Sequence, residues 1–485
     1  MLQKSYIRLS FFYLIAVGFI ILNLWFVVNK DMLMLSALPI VLLIVLAAVY
    51  SFDKILYLII FFAPLSIPLR KVMPGVGFDM YLPTEPLLFG LLIVFILKII
   101  SERKFDRKIL FHPVSLAIYL NLFWLLITSF TSTMPVVSFK FLLARIWFVA
   151  ALYLLTAKLF SKGKNMEKYV WLYVIPFMIV IFYATFRHLG YGLWDKQAAH
   201  FVVKPFYNDH TSYGAASAIL LPILTVFVFN KSFSKRLRLI SIGVFAVILM
   251  SFILSYSRAA WLSIVVAIGV WIIILLKIRF KPLFITFIAL LVLFFAFQTQ
   301  ILMKLENNSK QSSANMMTHI SSMSNITTDA SNLERINRWS CAIRMFEDKP
   351  FFGFGPGTYM FQYAPYQLTK DRTIISTNAG DGGNAHSEYL GPLAESGVLG
   401  LLTFLILIAV VLYTGVNAYT RINDQRLKQI VLAALLGLIT YYIHGFLNNF
   451  LDTDKLSVPF WGFTAMIVAI DILSKKQELQ KAPQS

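Results

Sequence analysis

Residues 237–278 hold Arg238, Arg258 and Lys277 as their only charges. At 1.5 Å per residue a single helix of that length would run to roughly 63 Å, about two bilayer hydrocarbon cores. The stretch therefore predicts a helical hairpin of two membrane spans, turning near Ser257 and Arg258. The rest of the chain agrees. It is 59% hydrophobic and 14% charged, against roughly 45–50% and about 25% in soluble domains, which excludes a soluble enzyme. Its 44 Phe, 22 Tyr and 9 Trp suit helix interfaces in lipid and the aromatic belts of a bilayer.

Fourteen apolar runs are candidate spans: 9–28, 32–50, 54–69, 86–100, 114–131, 140–160, 168–187, 211–230, 237–256, 258–278, 281–303, 390–417, 427–447 and 457–474. The run at 9–28 is followed by Asn29, Lys30 and Asp31 without a small-residue cleavage pattern, so it reads as an uncleaved first helix. The expected fold class is an all-α polytopic membrane protein of about 12–14 transmembrane helices with one large, partly helical outer loop. The net charge of +20 would suggest nucleic acid in a soluble protein. Here the Lys and Arg cluster in alternate connections, such as Lys98, Arg103, Lys104, Arg107 and Lys108, then Lys158, Lys162 and Lys164, then Lys231, Lys235 and Arg236. That pattern reports orientation and puts both termini in the cytoplasm, with no nucleic-acid partner implied.

The expected organisation is N-terminal transmembrane helices at 1–210, further helices with the Arg258 hairpin at 211–303, a large outer loop at 304–385, C-terminal transmembrane helices at 386–474 and a cytoplasmic tail at 475–485. A loop far longer than about 15 residues is usually functional or disordered. Residues 307–332, rich in Ser, Asn, Thr and Met, read as a flexible arm. From Glu334 to Tyr366 come Trp339, Phe346, Phe351, Phe352, Tyr359 and Phe361, which predict a folded half lying over the membrane surface. A second outer loop, 188–210, carries His188, His200 and His210, and the lone Cys341 leaves no intramolecular disulfide and no cysteine cluster for metal.

Few residues carry chemistry. Arg258, in Ser255-Tyr256-Ser257-Arg258, is at bilayer depth or at the hairpin's outer tip, where a cation normally faces a partner or polar cavity. It is either a snorkelling interfacial residue or a phosphate clamp, since guanidinium matches phosphate oxygens bidentately. Lys140 reads as an orientation anchor, and for Arg145 anchor and phosphate ligand stay open. Asn384-Ala385-His386-Ser387-Glu388 closes the loop before an apolar run. With Asn384 as N-cap, His386 would fall in the first helical turn, where the helix dipole disfavours imidazolium and keeps a proton-accepting ring. Glu395, inside the following span, is an intramembrane carboxylate and so a functional candidate, with structural pairing to an Arg as the alternative. Arg335, Arg338 and Arg344 share a broad helical face, either solvated or attracting anionic groups. Pro350-Phe351-Phe352-Gly353-Phe354-Gly355-Pro356-Gly357 lacks the Lys-Ser/Thr of a phosphate loop and reads as a tight turn. Asp452-Thr453-Asp454 is a short outer turn, with a divalent-cation site as the less favoured alternative.

The segment from Arg338-Trp339 through Lys349-Pro350-Phe351-Phe352-Gly353-Phe354-Gly355-Pro356-Gly357, followed by Ala385-His386-Ser387-Glu388-Tyr389-Leu390 and Ala394-Glu395-Ser396-Gly397-Val398-Leu399-Gly400, resembles the O-antigen ligase family. That superfamily includes O-antigen polymerases and protein O-oligosaccharyltransferases. Ser257-Arg258 before a long apolar run matches the upstream motif, so the similarity covers roughly 200–450. The resemblance implies a bacterial inner-membrane glycosyltransferase whose large loop and active site face the periplasm. It implies transfer of a glycan from undecaprenyl diphosphate to an acceptor hydroxyl on the lipopolysaccharide core or another glycan or lipid acceptor, with no cofactor and no required metal. Basic residues, here Arg258, Arg145 and Arg338, would hold the diphosphate. His386 would activate the acceptor, with Glu395 orienting or contacting it. The family often has Asn after that His, where this chain has Ser387. The alternatives are a polymerase, a protein O-oligosaccharyltransferase or, from another class, a lipid-linked glycan flippase.

Overall fold

The computed structural model describes residues 2–30, 53–73, 80–102, 105–277, 334–369, 376 and 383–481. The described residues are mostly helical, with one two-stranded antiparallel sheet. Helix α1 is Leu2–Lys30 and contains the run at 9–28. The runs at 32–50 and 281–303 and the arm at 307–332 lie outside the described residues. Ten helices among the described residues are long and apolar enough to cross a membrane. They are α2 (Thr84–Glu102), α3 (Pro113–Phe130), α4 (Pro135–Phe160), α5 (Met166–Leu189), α7 (His210–Phe229), α8 (Lys235–Leu254), α9 (Arg258–Leu275), α11 (Leu390–Arg421), α12 (Gln425–His444) and α13 (Asp454–Lys481). Between them lie the short α6 (Lys196–Val202) and the loop helix α10 (334–348).

The run at 54–69 departs from its expectation. It is helical at 53–62, tightens into a 3-10 turn at Ala63–Leu65 and leaves as strand β1 (Ile67–Pro68), which pairs antiparallel with β2 (Tyr81–Leu82). Pro64 and Pro68 each remove a helix donor, which is why an apolar run stops being a helix there.

Helix starts follow the capping chemistry. Asp209 caps α7, Ser234 caps α8, Ser257 caps α9 and Asp424 caps α12, each accepting backbone N–H bonds from the first turn. Helix α13 is buried nearly throughout its apolar length, and α7 and α12 largely so. They form the centre and bury polar side chains such as Ser217, Thr440 and Thr464 between helices, whereas the more apolar α8 and α9 leave most of their surface, including Leu239, Leu262, Val265 and Ile268, to lipid. Helix α7 packs most extensively against α12 and α8, and α9 against α12. The hairpin expected at Ser257 is present: α8 ends at Leu254, Tyr256 turns through φ 49°, and Arg258 opens α9.

Helix α11 is broken at Gly397, where φ is 69° and ψ −169°. The glycine-rich turn of the large loop packs into the break. Phe354 N donates to Ala394 O (3.2 Å), Gly355 N to Glu395 O (2.7 Å) and Val398 N to Pro350 O (2.9 Å). Trp124 of α3 donates its indole N–H to the carbonyl of Ser396 at 2.8 Å. Backbone groups freed in a span must be paired again by protein, and here loop and α3 do so. Gly353, Gly355 and Gly357 all have positive φ, so the stretch read as a tight turn is one.

Candidate active site

At one end of the bundle α6, the start of α7, the α8–α9 hairpin, α10 and the residues after α12 enclose a cavity of about 450 Å³. Its wall is cationic and aromatic: Lys196, Arg258 and Arg335 with Tyr256, Trp261 and Trp339. His200 and His210 also line it, their rings 4.0 Å apart. Arg258 stands exposed at the mouth, placed by the Ser257 cap as the first residue of α9. Arg335 is half-buried, and its charge is felt at Arg258, Asp209, His386 and His444. Burial works to raise the Asp209 carboxyl. The N–H of Ser212 and the hydroxyl of Thr211 overcome this and hold it below its ordinary value, so it remains an anion beside the arginines.

His386 borders this cluster. Its backbone is left-handed (φ 48°), its N–H bonds Asn384 Oδ1 at 3.1 Å, and its carbonyl accepts from the Trp339 indole at 3.4 Å. The expected first-turn position is corrected here. Helix α11 begins at Leu390, and Ser387, not Asn384, takes the N–H groups of Tyr389 and Leu390 at 3.2 and 3.3 Å. Asn384 forms a local turn instead of a helix cap. The neutral ring has a different cause from the helix dipole: burial first, then Arg335 and Arg338, push the His386 pKa down to about 4, against weaker opposition from Asp209 and Glu334. Replacing Arg335 by Gln is expected to raise that pKa from about 4 toward the ordinary 6.5. Histidine-ring NMR in nanodiscs, assigned with a His386→Ala sample, measures it, and an unmoved pKa would remove Arg335 from the cluster.

The other residues singled out in the sequence are elsewhere. Arg338 is buried in an ion pair with Glu334 (2.6 Å) and lies 3.9 Å over the Tyr363 ring, beneath the cavity wall and not on it. Arg145 donates to Leu451 O (2.8 Å) and Asp452 Oδ1 (2.6 Å) and lines a separate cavity of about 50 Å³ with Glu388 and Glu395. Glu395 accepts the N–H of Tyr359 at 2.9 Å, so its carboxyl holds the glycine turn from below. Glu388 Oε1 likewise collects Tyr441 OH and the N–H groups of Phe450 and Leu451 at 2.5–2.9 Å, and burial raises its pKa. Asp452 faces Arg145, whereas Asp454 takes the Thr84 hydroxyl and pairs with Lys455. Among the described residues no group of three or more His, Cys, Asp and Glu is arranged to hold a metal.

Sequence reasoning passed over Arg335 as a site residue, and Asp209, His444 and Asn448 altogether. His444 is buried beside Asn448, 3.1 Å away, at the end of α12. A histidine closing a span was the available signal for it.

The fold and this site define a polytopic membrane protein with a cationic cavity and a neutral histidine at one end of its helices. Comparison with family models then supplies a likeness: residues 243–405 match the model described as O-Antigen ligase. The match runs from α8 through the cavity wall and His386 to the first turns of α11 after its break. No curated protein matches the chain.

Proposed function

We propose that the protein transfers a glycan from an undecaprenyl diphosphate carrier to an acceptor hydroxyl, with the cavity facing the periplasm of a bacterial inner membrane and both termini in the cytoplasm. The observation that carries this is a cavity lined by Arg258 and Arg335, with the neutral His386 beside its wall, bonded through its carbonyl to the lining Trp339 and within the field of Arg335. The donor's diphosphate occupies the arginine wall, and its first sugar lies against Trp261 and Trp339. The acceptor oxygen attacks the anomeric carbon as the bond from that carbon to the diphosphate oxygen breaks. The electron pair leaves with undecaprenyl diphosphate, the acceptor proton passes to a His386 ring nitrogen and then to water, and the anomeric configuration inverts. Cations aimed at the leaving oxygens and a positioned base are the two contributions such a displacement needs.

Roles follow from placement. Arg258 and Arg335 hold phosphate. Arg338 fixes α10 and, with Arg335, keeps the base neutral until a diphosphate offsets their charge. Arg145 and Glu395 secure the connections around the site instead of touching the donor.

An Arg258→Ala variant should bind an undecaprenyl diphosphate glycan in nanodiscs roughly 10- to 100-fold more weakly, as expected for losing a charge-assisted bond of about 1.5–3 kcal/mol. Unchanged affinity would eliminate the clamp. The reaction itself is tested by the glycan pool of a deletion strain. Full-length polymer accumulating on its carrier establishes a ligase, and single repeat units on the outer leaflet a polymerase. Units confined to the inner leaflet would overturn glycan transfer in favour of transport.

A further inference from the structure

The turn that plugs the break in α11 presents two large apolar side chains outward. Phe351 is 67% exposed and Phe352 46%. Neither points toward the cavity. The Phe352 ring stacks on Trp124, with centroids 5.8 Å apart and planes 16° from parallel. Trp124 lies six residues before the end of α3 at Phe130, roughly 9 Å down the helix axis. Two residues later in the loop, the Phe354 carbonyl accepts from Thr133 N at 2.9 Å, level with the α3–α4 turn. The segment therefore descends beside α3 and climbs back.

Its neighbours on that descent already face lipid. Leu120 and Phe123 of α3 and Leu399 and Leu402 of α11 are exposed, so Phe351 and Phe352 extend one continuous apolar surface of the bundle. Chemistry changes abruptly on the loop side: Glu347 and Asp348 are exposed charges that require water, and Lys349 folds its ammonium over the Phe354 ring at 4.7 Å. Charges ending at 349 and aromatics beginning at 351 mark a water–lipid boundary within a single turn. The backbone flanking the two aromatics is tied to protein: Pro350 O accepts from Val398 N, Gly353 N donates to Lys349 O, and the N–H groups of Phe354 and Gly355 donate to the carbonyls of Ala394 and Glu395, while the headgroup level still offers water to the Phe351 and Phe352 amides.

We propose that the Pro350–Gly353 turn is a membrane-seated wedge: Phe351 and Phe352 sit among the bilayer's lipids at the headgroup–acyl boundary and fasten α10 to the membrane surface. The occupant of this apolar patch is lipid, not a protein partner. Because α10 carries Arg335, the wedge fixes that guanidinium at a set height above the bilayer, where a group borne on a membrane-embedded carrier can reach it. The placement rests on geometry alone and stands whether or not the protein transfers glycans.

The single, buried Cys341 makes depth measurable. In a Cys341→Ala background, spin labels are placed at Phe351→Cys, at Glu347→Cys and, as a lipid-facing reference, at Phe123→Cys, in nanodiscs of phosphatidylcholine and phosphatidylglycerol. Collision with oxygen and with a water-soluble nickel chelate is read by power saturation. The label at 351 should favour oxygen as the one at 123 does, whereas the label four residues earlier favours nickel. Nickel-favoured collisions at 351 equal to those at 347 would overturn the wedge. Because 351 is exposed, a label there leaves the fold intact, and matched elution of the three variants with unlabelled protein checks this. Phe352→Cys gives a second reading of the same depth: oxygen preference supports the wedge, and nickel preference there also overturns it.

Discussion

Replacing His386 by Asn should lower glycan transfer by ~10²–10⁴-fold, the usual contribution of a positioned general base, with donor affinity little changed. Asn is the informative substitution because the backbone at 386 is left-handed, φ 48°, a conformation Asn adopts far more readily than Ala. The structural bonds at this position belong to the main chain, one to Asn384 and one from Trp339. Both survive the change, and only the imidazole is lost. The loss should appear in kcat, since arginine contacts to the diphosphate remain. Full transfer by correctly inserted His386→Asn protein would end the proposed role.

The pH profile gives a second handle on the same residue. With its pKa near 4 in the free protein, the ring is neutral through physiological pH, so the acid limb of kcat/KM for the donor should fall near pH 4. A bound diphosphate places negative charge beside Arg335 and Arg338 and cancels part of their field, raising the basicity of His386. The limb of kcat should therefore sit at higher pH than that of kcat/KM. The free base is weak on its own and strengthens when the leaving group is in place. Coincident limbs would show that the donor's charge does not reach the ring.

Hydropathy made the spans legible because a bilayer imposes one length on every helix. The α8–α9 hairpin and the folded half of the large loop could be read from charge gaps and aromatic spacing alone. Side-chain destinations could not. Arg335, Arg338 and Arg344 look equivalent on a helical face, yet Arg335 reaches the cavity, Arg338 meets Glu334 and Tyr363, and Arg344 donates to the Tyr366 carbonyl at 2.7 Å. At about 100° per residue Arg338 lies roughly 60° of helical phase from Arg335 and Arg344 about half a turn away, and that phase separates a ligand from a strut. Arg145 found Asp452 across a sequence gap that no local pattern spans. Glu395 drew attention as an isolated carboxylate in an apolar run. What no local pattern revealed was that α11 breaks two residues later and turns a loop's N–H group toward it. Asn384 satisfied the N-cap rule by type, but Ser387 lay closer to the first free N–H groups of the helix.

The break at Gly397 is where the fold should be least tolerant. Its φ of 69° with ψ of −169° lies in a region open essentially to glycine alone, and another residue there costs of order 1–3 kcal/mol in strain. Space is the harder limit. A Cβ at 397 would lie 2.1 Å from the Phe351 carbonyl oxygen and 2.7 Å from that of Pro350, so no rotamer change gives relief and the turn must withdraw. Withdrawal breaks the bonds that join Pro350, Phe354 and Gly355 to α11, each leaving a buried polar group at about 1–3 kcal/mol. Gly397→Ala should therefore destabilise the protein by more than about 4 kcal/mol, among the exceptional values for one substitution, and free the turn from α11. The comparison is Gly391→Ala, six positions earlier, where the nearest atom to a Cβ is 3.9 Å away and the change should be neutral or slightly stabilising. Thermal unfolding followed by size-exclusion chromatography, with limited proteolysis of the large loop, measures both. Equal behaviour of the two variants would mean that the turn does not hold α11 in its broken form. The expected divergence would tie the loop bearing Arg335 to the helix that His386 precedes, making one clamp responsible for bringing the cation and the base together beside the cavity.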